Sequence, residues 1–193
     1  MNILNTIFIL SFLTSTLFGQ TPGELLGALN DFEVLPYSNN LLEKAKAGDA
    51  IAQVQLGVAF YEGHEIEKSD LKAVEWFKKS AENENALGEA LLGMCYKHGD
   101  GVDQDFKKAF QLFSKSAKKG NLMGQFGLGL CYTVGEGVTE DKKEGLRWIL
   151  KAADLGFQPA IQTLNGLSNF PEAVIIINEI KKESSANPQQ KPE

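Results

Sequence analysis

The sequence predicts an all-α chain wound as a right-handed α–α superhelix of about three 36-residue helix–turn–helix repeats, with capping helices on either side. Three observations predict it. The chain matches itself without gaps when shifted by 36 positions: Leu56-Gly57, Leu92-Gly93 and Leu128-Gly129 fall in register, followed by Phe60, Tyr96 and Tyr132, then by Gly63, Gly99 and Gly135. Within each unit apolar residues recur at spacings of three and four, the period of a helix with one buried face. Between the helical stretches of units two and three stand the glycine turns Gly99-Asp100-Gly101-Val102 and Gly135-Glu136-Gly137-Val138. A self-match at a period of this size means a solenoid, in which each unit buries its apolar face against the next.

Residues 1–18 carry no charge and are dominated by Ile, Leu and Phe. That composition suits the apolar core of a secretory signal peptide, with Gly19-Gln20 as the cleavage point. No Lys or Arg precedes the run, and Leu17 stands two before Gly19 where a small residue is usual. Residues 1–19 therefore read as a cleaved signal peptide or, alternatively, as a retained anchor, since about 17–25 apolar residues can just span a bilayer. No cysteine follows the run to carry a lipid. The expectation is an exported chain, periplasmic or secreted.

Residues 20–47 form the N-terminal cap: Pro22 to Val34 as one helix, then Leu41 to Gly48 repeating the end of a second helix, with Ala45 one period before Ala81. The solenoid proper spans 48–164. In unit one, Ala52, Leu56, Ala59 and Phe60 make one face of the first helix, and Ala73, Trp76, Phe77 and Ser80 one face of the second. Unit two repeats the latter as Ala109, Leu112, Phe113 and Ser116. Gly57, Gly93 and Gly129 each weaken a helix by about 1 kcal/mol relative to Ala. Their recurrence at one position implies close helix–helix packing. Glu65 takes the place of the second turn glycine in unit one, which costs about 1 kcal/mol if the backbone there is left-handed. Pro159-Ala160-Ile161 with Leu164 opens a fourth first helix, proline being tolerated in an opening turn. Residues 165–183 carry a capping helix, Pro171 to Lys182, with Ala173, Val174, Ile176, Ile177 and Ile180 covering the last open face. The polar, proline-containing tail 184–193 is expected to be disordered.

The formal net charge is −6 with no block of Lys or Arg, which argues against a nucleic-acid partner and against an anionic membrane surface. Membrane contact is expected only if residues 1–19 are retained. Cys95 and Cys131 share one repeat position. Adjacent first helices pack about 8–10 Å apart, whereas a disulfide needs Cα atoms within about 7 Å, so the pair reads as small buried core residues. The turns are rich in Glu62, Glu65, Glu67, Asp100, Asp103, Asp105, Glu136, Glu140 and Asp141, with His64 and His98 nearby but not in equivalent positions. Their spacing does not match a calcium loop, so a solvated acidic edge is expected, with no metal and no cofactor. Ser69-Asp70-Leu71-Lys72 matches S-x-x-K, the nucleophile motif of penicillin-recognising enzymes. It opens a second helix, where Ser is a good N-cap, and no K-T-G or S-D-N partner occurs.

Leu128-Gly129…Tyr132…Gly135-Glu136-Gly137-Val138, followed by Trp148…Lys151-Ala152-Ala153…Gly156, resembles the Sel-one-like repeat (SLR), a subclass of the tetratricopeptide-like α-solenoids. The resemblance covers about residues 48–164, with Gly88 and Gly124 at a position usually held by Ala, and Leu112 in place of a Trp. It implies an interaction scaffold rather than an enzyme. It also implies, for exported relatives, disulfides between the two helices of a repeat, whose second cysteine this chain lacks. By the tetratricopeptide scheme the concave groove is lined by Ile51, Val54, Val58 and Tyr61 in unit one, Leu87, Ala90, Met94 and Lys97 in unit two, and Met123, Phe126, Leu130 and Thr133 in unit three. Some of these, Ile51, Leu87 and Met123 above all, can equally serve only to pack first helix on first helix. The expected function is an exported, monomeric scaffold binding a peptide or helical segment of another protein in that groove. Two alternatives stay open: an envelope hydrolase or β-lactam-binding SLR protein, and a structural subunit assembling through its capping helices.

Overall fold

The computed structural model describes residues 35–186, which contain only helices and their connections. They run α1 (Asn39–Lys46), α2 (Ala50–Glu62), α3 (Asp70–Glu82), α4 (Ala86–His98), α5 (Phe106–Lys118), α6 (Leu122–Val134), α7 (Lys142–Asp154), α8 (Gln158–Leu167) and α9 (Pro171–Ala186). The pairs α2–α3, α4–α5 and α6–α7 are the three units, each first helix packing on its own second helix and on the second helix before it. The result is an all-α helical-repeat superhelix. The sequence expectations for residues 1–34 and 187–193 lie outside the described residues. Among the described residues no helix is long and apolar enough to cross a membrane.

Start signals explain why each helix begins where it does. Asp49, Asn85 and Asn121 cap the three first helices, and Ser69, Asp105 and Asp141 cap the three second helices, each side chain accepting a backbone N–H of the first turn. Such caps are worth about 1 kcal/mol apiece. Ser69 Oγ accepts from the Lys72 N–H, which accounts for the S-x-x-K match without a nucleophile. The first helices end at Gly63, Gly99 and Gly135, all left-handed. Glu65 is also left-handed, at φ 56°, so unit one keeps the shape of the turn at the steric cost the sequence suggested. Its equivalents Gly101 and Gly137 have a second reason to be glycine. A Cβ there would strike the carbonyl oxygens of Asp70 and Phe106, because each turn lies against the start of the preceding unit's second helix.

Two sets of glycines set the helix spacing. An added Cβ on Gly57 would come within 2.5 Å of the Phe77 ring, and one on Gly93 within 3.0 Å of the Phe113 ring, so the first helix of each unit lies directly on its own second helix. Gly88 and Gly124 face the preceding second helix, where Ser80 and Ser116 fill the space a methyl would need. Those hydroxyls donate to the carbonyls of Ala50 and Ala86 at 2.8 and 2.6 Å. Unit three changes both partners together: Ala152 takes the place of the serine, and Ala160 that of the glycine, and both are buried. The apparent departure of Gly88 and Gly124 from Ala is thus one half of a size exchange.

At the far end Ala173 and Ile180 of α9 join Leu146, Leu150 and Leu167 in a second apolar cluster. Lys143 and Arg147 of α7 reach Glu183 at 2.6 and 2.7 Å. The capping helix therefore continues past its expected end to Ala186, Ser184 and Ser185 donating back to the carbonyls of Ile180 and Lys181. The disordered tail expected from residue 184 is corrected to that extent.

Candidate functional site

The first helices have two contact directions fixed by their glycines, and a third that points away from both. On α4, at about 100° per residue, Met94 lies about 100° round from Gly93, which faces α5, and about 120° from Gly88, which faces α3. Val58 and Leu130 are its equivalents, and Ile51, Leu87 and Met123 lie two turns earlier on the same side. This inner face is apolar through all three units. It is not an open groove in the full chain. Of the nine residues expected to line it, Val54, Val58, Ala90, Met94, Lys97, Phe126, Leu130 and Thr133 are buried, and Tyr61 alone is half-buried. Leu87 and Met123 are buried as well, while Ile51 is 46% exposed. The first helices are thus enclosed on this side except at Ile51 and partly at Tyr61, and the expected groove is corrected to a mostly buried face.

Three positions of the set do particular structural work. Phe126 stacks edge-on against Phe157 at 5.6 Å between ring centroids. Tyr61 and Lys97 occupy one repeat position and reach into the turn of the following unit. The Tyr61 hydroxyl donates to Asp100 Oδ2 at 2.8 Å, and one period on Lys97 Nζ pairs with Glu136 Oε2 at 3.0 Å, with both side chains largely buried. Burial and the Asp100 carboxylate push the Tyr61 phenol well above its ordinary range, so it remains a neutral donor. Thr133, the third equivalent, turns inward and donates to the Gly129 carbonyl of its own helix at 2.8 Å.

Four of the acidic turn residues have structural partners. Asp100 and Glu136 are partners of these cross-unit contacts, and Asp105 and Asp141 are helix caps. The Lys108 backbone N–H holds the Asp105 carboxyl below its usual range. His98 lies 3.7 Å from Asp100 through Nδ1, and burial, with Lys97 beside it, lowers its pKa. Among the described residues no three His, Cys, Asp or Glu side chains gather to hold a metal. Cys95 and Cys131 are both buried and unpaired. Burial drives both thiols up, Cys131 to about 12, which makes them core groups rather than nucleophiles.

Sequence reasoning missed a third set of equivalent contacts, at the opposite edge from the turns. In units one and two the residue that caps the end of the second helix reaches back to the start of its own unit's first helix. Asn83 Nδ2 donates to Gln53 Oε1 at 3.0 Å and the Gly48 carbonyl at 3.3 Å. Lys119 Nζ donates to Glu89 Oε1 and the Glu84 carbonyl, both at 2.8 Å. The signal was present: positions 53, 89 and 125 and positions 83, 119 and 155 stand one period apart.

Fold and site together define a helical-repeat protein of the solenoid class, with repeated packing sockets and one continuous apolar inner face. The Sel1 repeat model matches residues 50–85, 86–121 and 122–157, and the chain belongs to the Sel1 repeat family. Among solved structures it is similar to a protective antigen present in uropathogenic Escherichia coli strains displaying an SLR fold, at 36% identity and TM-score 0.61 over 66% of this chain and 27% of that one. The chain thus spans about a quarter of that protein's length. It is similar to a Sel1 repeat protein from Oxalobacter formigenes at 31% identity and TM-score 0.57, over 66% of this chain and 96% of that one. Helicobacter pylori cysteine rich protein B shares the fold at 22% identity and TM-score 0.51, over 75% of this chain and 97% of that one. No curated protein matches the chain. Sel1-repeat proteins generally mediate protein–protein interaction, and the repeat is typically a non-catalytic scaffold.

Proposed function

We propose that the chain is an exported interaction scaffold that holds a peptide or helical segment of another protein against the inner face of its first helices. The observation that carries the reading is the apolar character of that face in every unit: Ile51 and Val58, Leu87 and Met94, Met123 and Leu130 all point away from the second helices. An amphipathic helix or an extended peptide with apolar anchors is the kind of segment such a side would hold. In the full chain the face is open at Ile51 and partly at Tyr61 and covered further along. A partner engages at unit one, where Ile51 is exposed. Export rests on the uncharged, Ile-, Leu- and Phe-rich residues 1–18.

A photo-crosslinking amino acid at Ile51, with one at the exposed outer residue Leu71 as control, tests the surface in cells making the full chain. A discrete protein adduct from position 51 and none from position 71 supports the reading. Equal adducts from both positions, or none from 51, would remove the inner face as the contact surface. Intact mass of the same protein tests export: a mature chain beginning at Gln20 supports it, and an uncleaved chain in the cytosolic fraction sinks it.

A further inference from the structure

The second helix of unit two carries its charges differently from its equivalents. From Phe106 to Lys118, α5 holds Lys107, Lys108, Lys115 and Lys118 and no Asp or Glu, in a chain whose net charge is −6. All four lysines are exposed. By the helical period they share the side opposite the buried Ala109 and Phe113. In units one and three the lysines at these positions have partners. Lys143, one period after Lys107, pairs with Glu183 of α9 at 2.6 Å. Lys79 and Lys151, the equivalents of Lys115, lie over the Trp76 and Trp148 rings at 4.0 and 4.6 Å, and unit two has Leu112 where that ring would be. Glu82 and Asp154 stand at the position of Lys118, so there the sign is reversed. Lys108 itself pairs with Asp105 at 3.3 Å. Among the described residues the ammonium groups of Lys107, Lys115 and Lys118 make no ion pair and no ring contact.

We propose that this outer face of α5 docks an acidic helix of a partner protein, whose carboxylates meet Lys107, Lys115 and Lys118. An apolar side chain of that helix packs on the half-buried Leu112 and on the lysine stems. Unit three shows the chemistry of such an occupant. There α9 packs Ala173 and Ile180 into one cluster with Leu146 and Leu150 of α7, and presents Glu179 and Glu183 to Lys143. Lys107 and Lys118 lie about 16 Å apart along the helix axis, so about three turns of a helix suffice to meet all three lysines. One exposed ion pair alone is weak, so recognition rests on several carboxylates at that spacing and weakens with salt. Phe113, on the opposite side of α5, packs against Gly93 of the first helix. The proposed surface therefore points away from the inner face, and its test does not depend on that face.

The probe is the peptide acetyl-Ala-Glu-Ala-Ala-Glu-Leu-Ala-Ala-Leu-Ala-Ala-Ala-Glu-Ala-amide, whose glutamates have the spacing of the three lysines. It is titrated into the isotopically labelled full chain at low salt while backbone amide NMR signals are followed. Saturable shifts concentrated on α5 are expected, lost in about 0.5 M salt and absent with the same peptide carrying glutamine for glutamate. Lys107→Gln, Lys115→Gln and Lys118→Gln together should weaken binding roughly tenfold or more. Lys79→Gln, Lys142→Gln and Lys151→Gln remove the same charge from lysines that already have partners, and should leave binding unchanged. The proposal is overturned by shifts that do not saturate or that centre on α7, by equal binding of the glutamine peptide, or by equal loss in the two triple variants. Phosphatidylglycerol vesicles that shift α5 where the peptide does not would overturn it in favour of a lipid surface.

Discussion

Changing Gly124 to Ala should destabilise the protein, and changing Ser116 to Ala with it should restore part of the loss. A Cβ on Gly124 would overlap the Ser116 hydroxyl, and would lie 2.5 Å from Ser116 Cβ and 2.8 Å from the Ala117 nitrogen. Helix α6 has to lift off α5 by a few tenths of an ångström or more, and overpacking of this degree costs about 1–3 kcal/mol. Against it stands a gain of about 1 kcal/mol from replacing a helical glycine. A net loss of about 1 kcal/mol is the expectation for Gly124→Ala alone. Ser116→Ala alone forfeits the 2.6 Å bond to the Ala86 carbonyl, again about 1 kcal/mol. The double variant reproduces the alanine pair of unit three, Ala152 with Ala160, and removes the clash with the hydroxyl, leaving the contacts with the Cβ of residue 116 and the Ala117 nitrogen. Its loss should fall short of the sum by about 1 kcal/mol. Urea unfolding of the four proteins at equal m-value gives the coupling directly. Additivity within about 0.4 kcal/mol would refute the argument, because sites that do not compete for one space add to within that margin.

Three further outcomes follow from single contacts. Glu84 holds a left-handed backbone at φ 56°, at the position where Gly48, Gly120 and Gly156 stand, so Glu84→Gly should raise stability by about 1 kcal/mol in the same unfolding assay. Glu136→Gln leaves the largely buried Lys97 ammonium without its counter-charge and should cost about 3 kcal/mol, while the double change with Lys97→Met should recover most of it. The buried thiols set an alkaline dependence. A folded pKa raised to about 12 for Cys131 means the folded chain keeps a proton that the unfolded chain releases near about 8.5. Stability should therefore be full below that pH and fall as pH rises towards 12. Native thiols should be inert to iodoacetamide at pH 8 and react fully in guanidinium, and rapid native alkylation would contradict the burial.

Much of the fold could be read from the sequence because a repeat states its packing three times. The register of Leu56-Gly57 with its successors was enough to place every first and second helix of the solenoid, and the glycines at 57, 93 and 129 announced the close contact that the Phe77 and Phe113 rings occupy. The candidate site was legible in direction only. A helical period shows that Val58, Met94 and Leu130 share a side, but burial depends on what lies opposite, and no spacing within one helix reports that. Lys97 and Glu136 illustrate the limit. Read singly, the first looked like a groove residue and the second like part of an acidic edge, and only the register shared with Tyr61 and Asp100 reveals one socket filled by two chemistries. The sockets also differ in how freely they vary. Serine–glycine becomes alanine–alanine with packing intact, and tyrosine–aspartate becomes lysine–glutamate with a polar bond kept in each. At Leu155 and Gln125 the exchange is not completed: one partner has lost its donor and the other has kept its acceptor. In a solenoid stabilised by matched neighbours, an unmatched pair of this kind contributes less to the fold than its equivalents do.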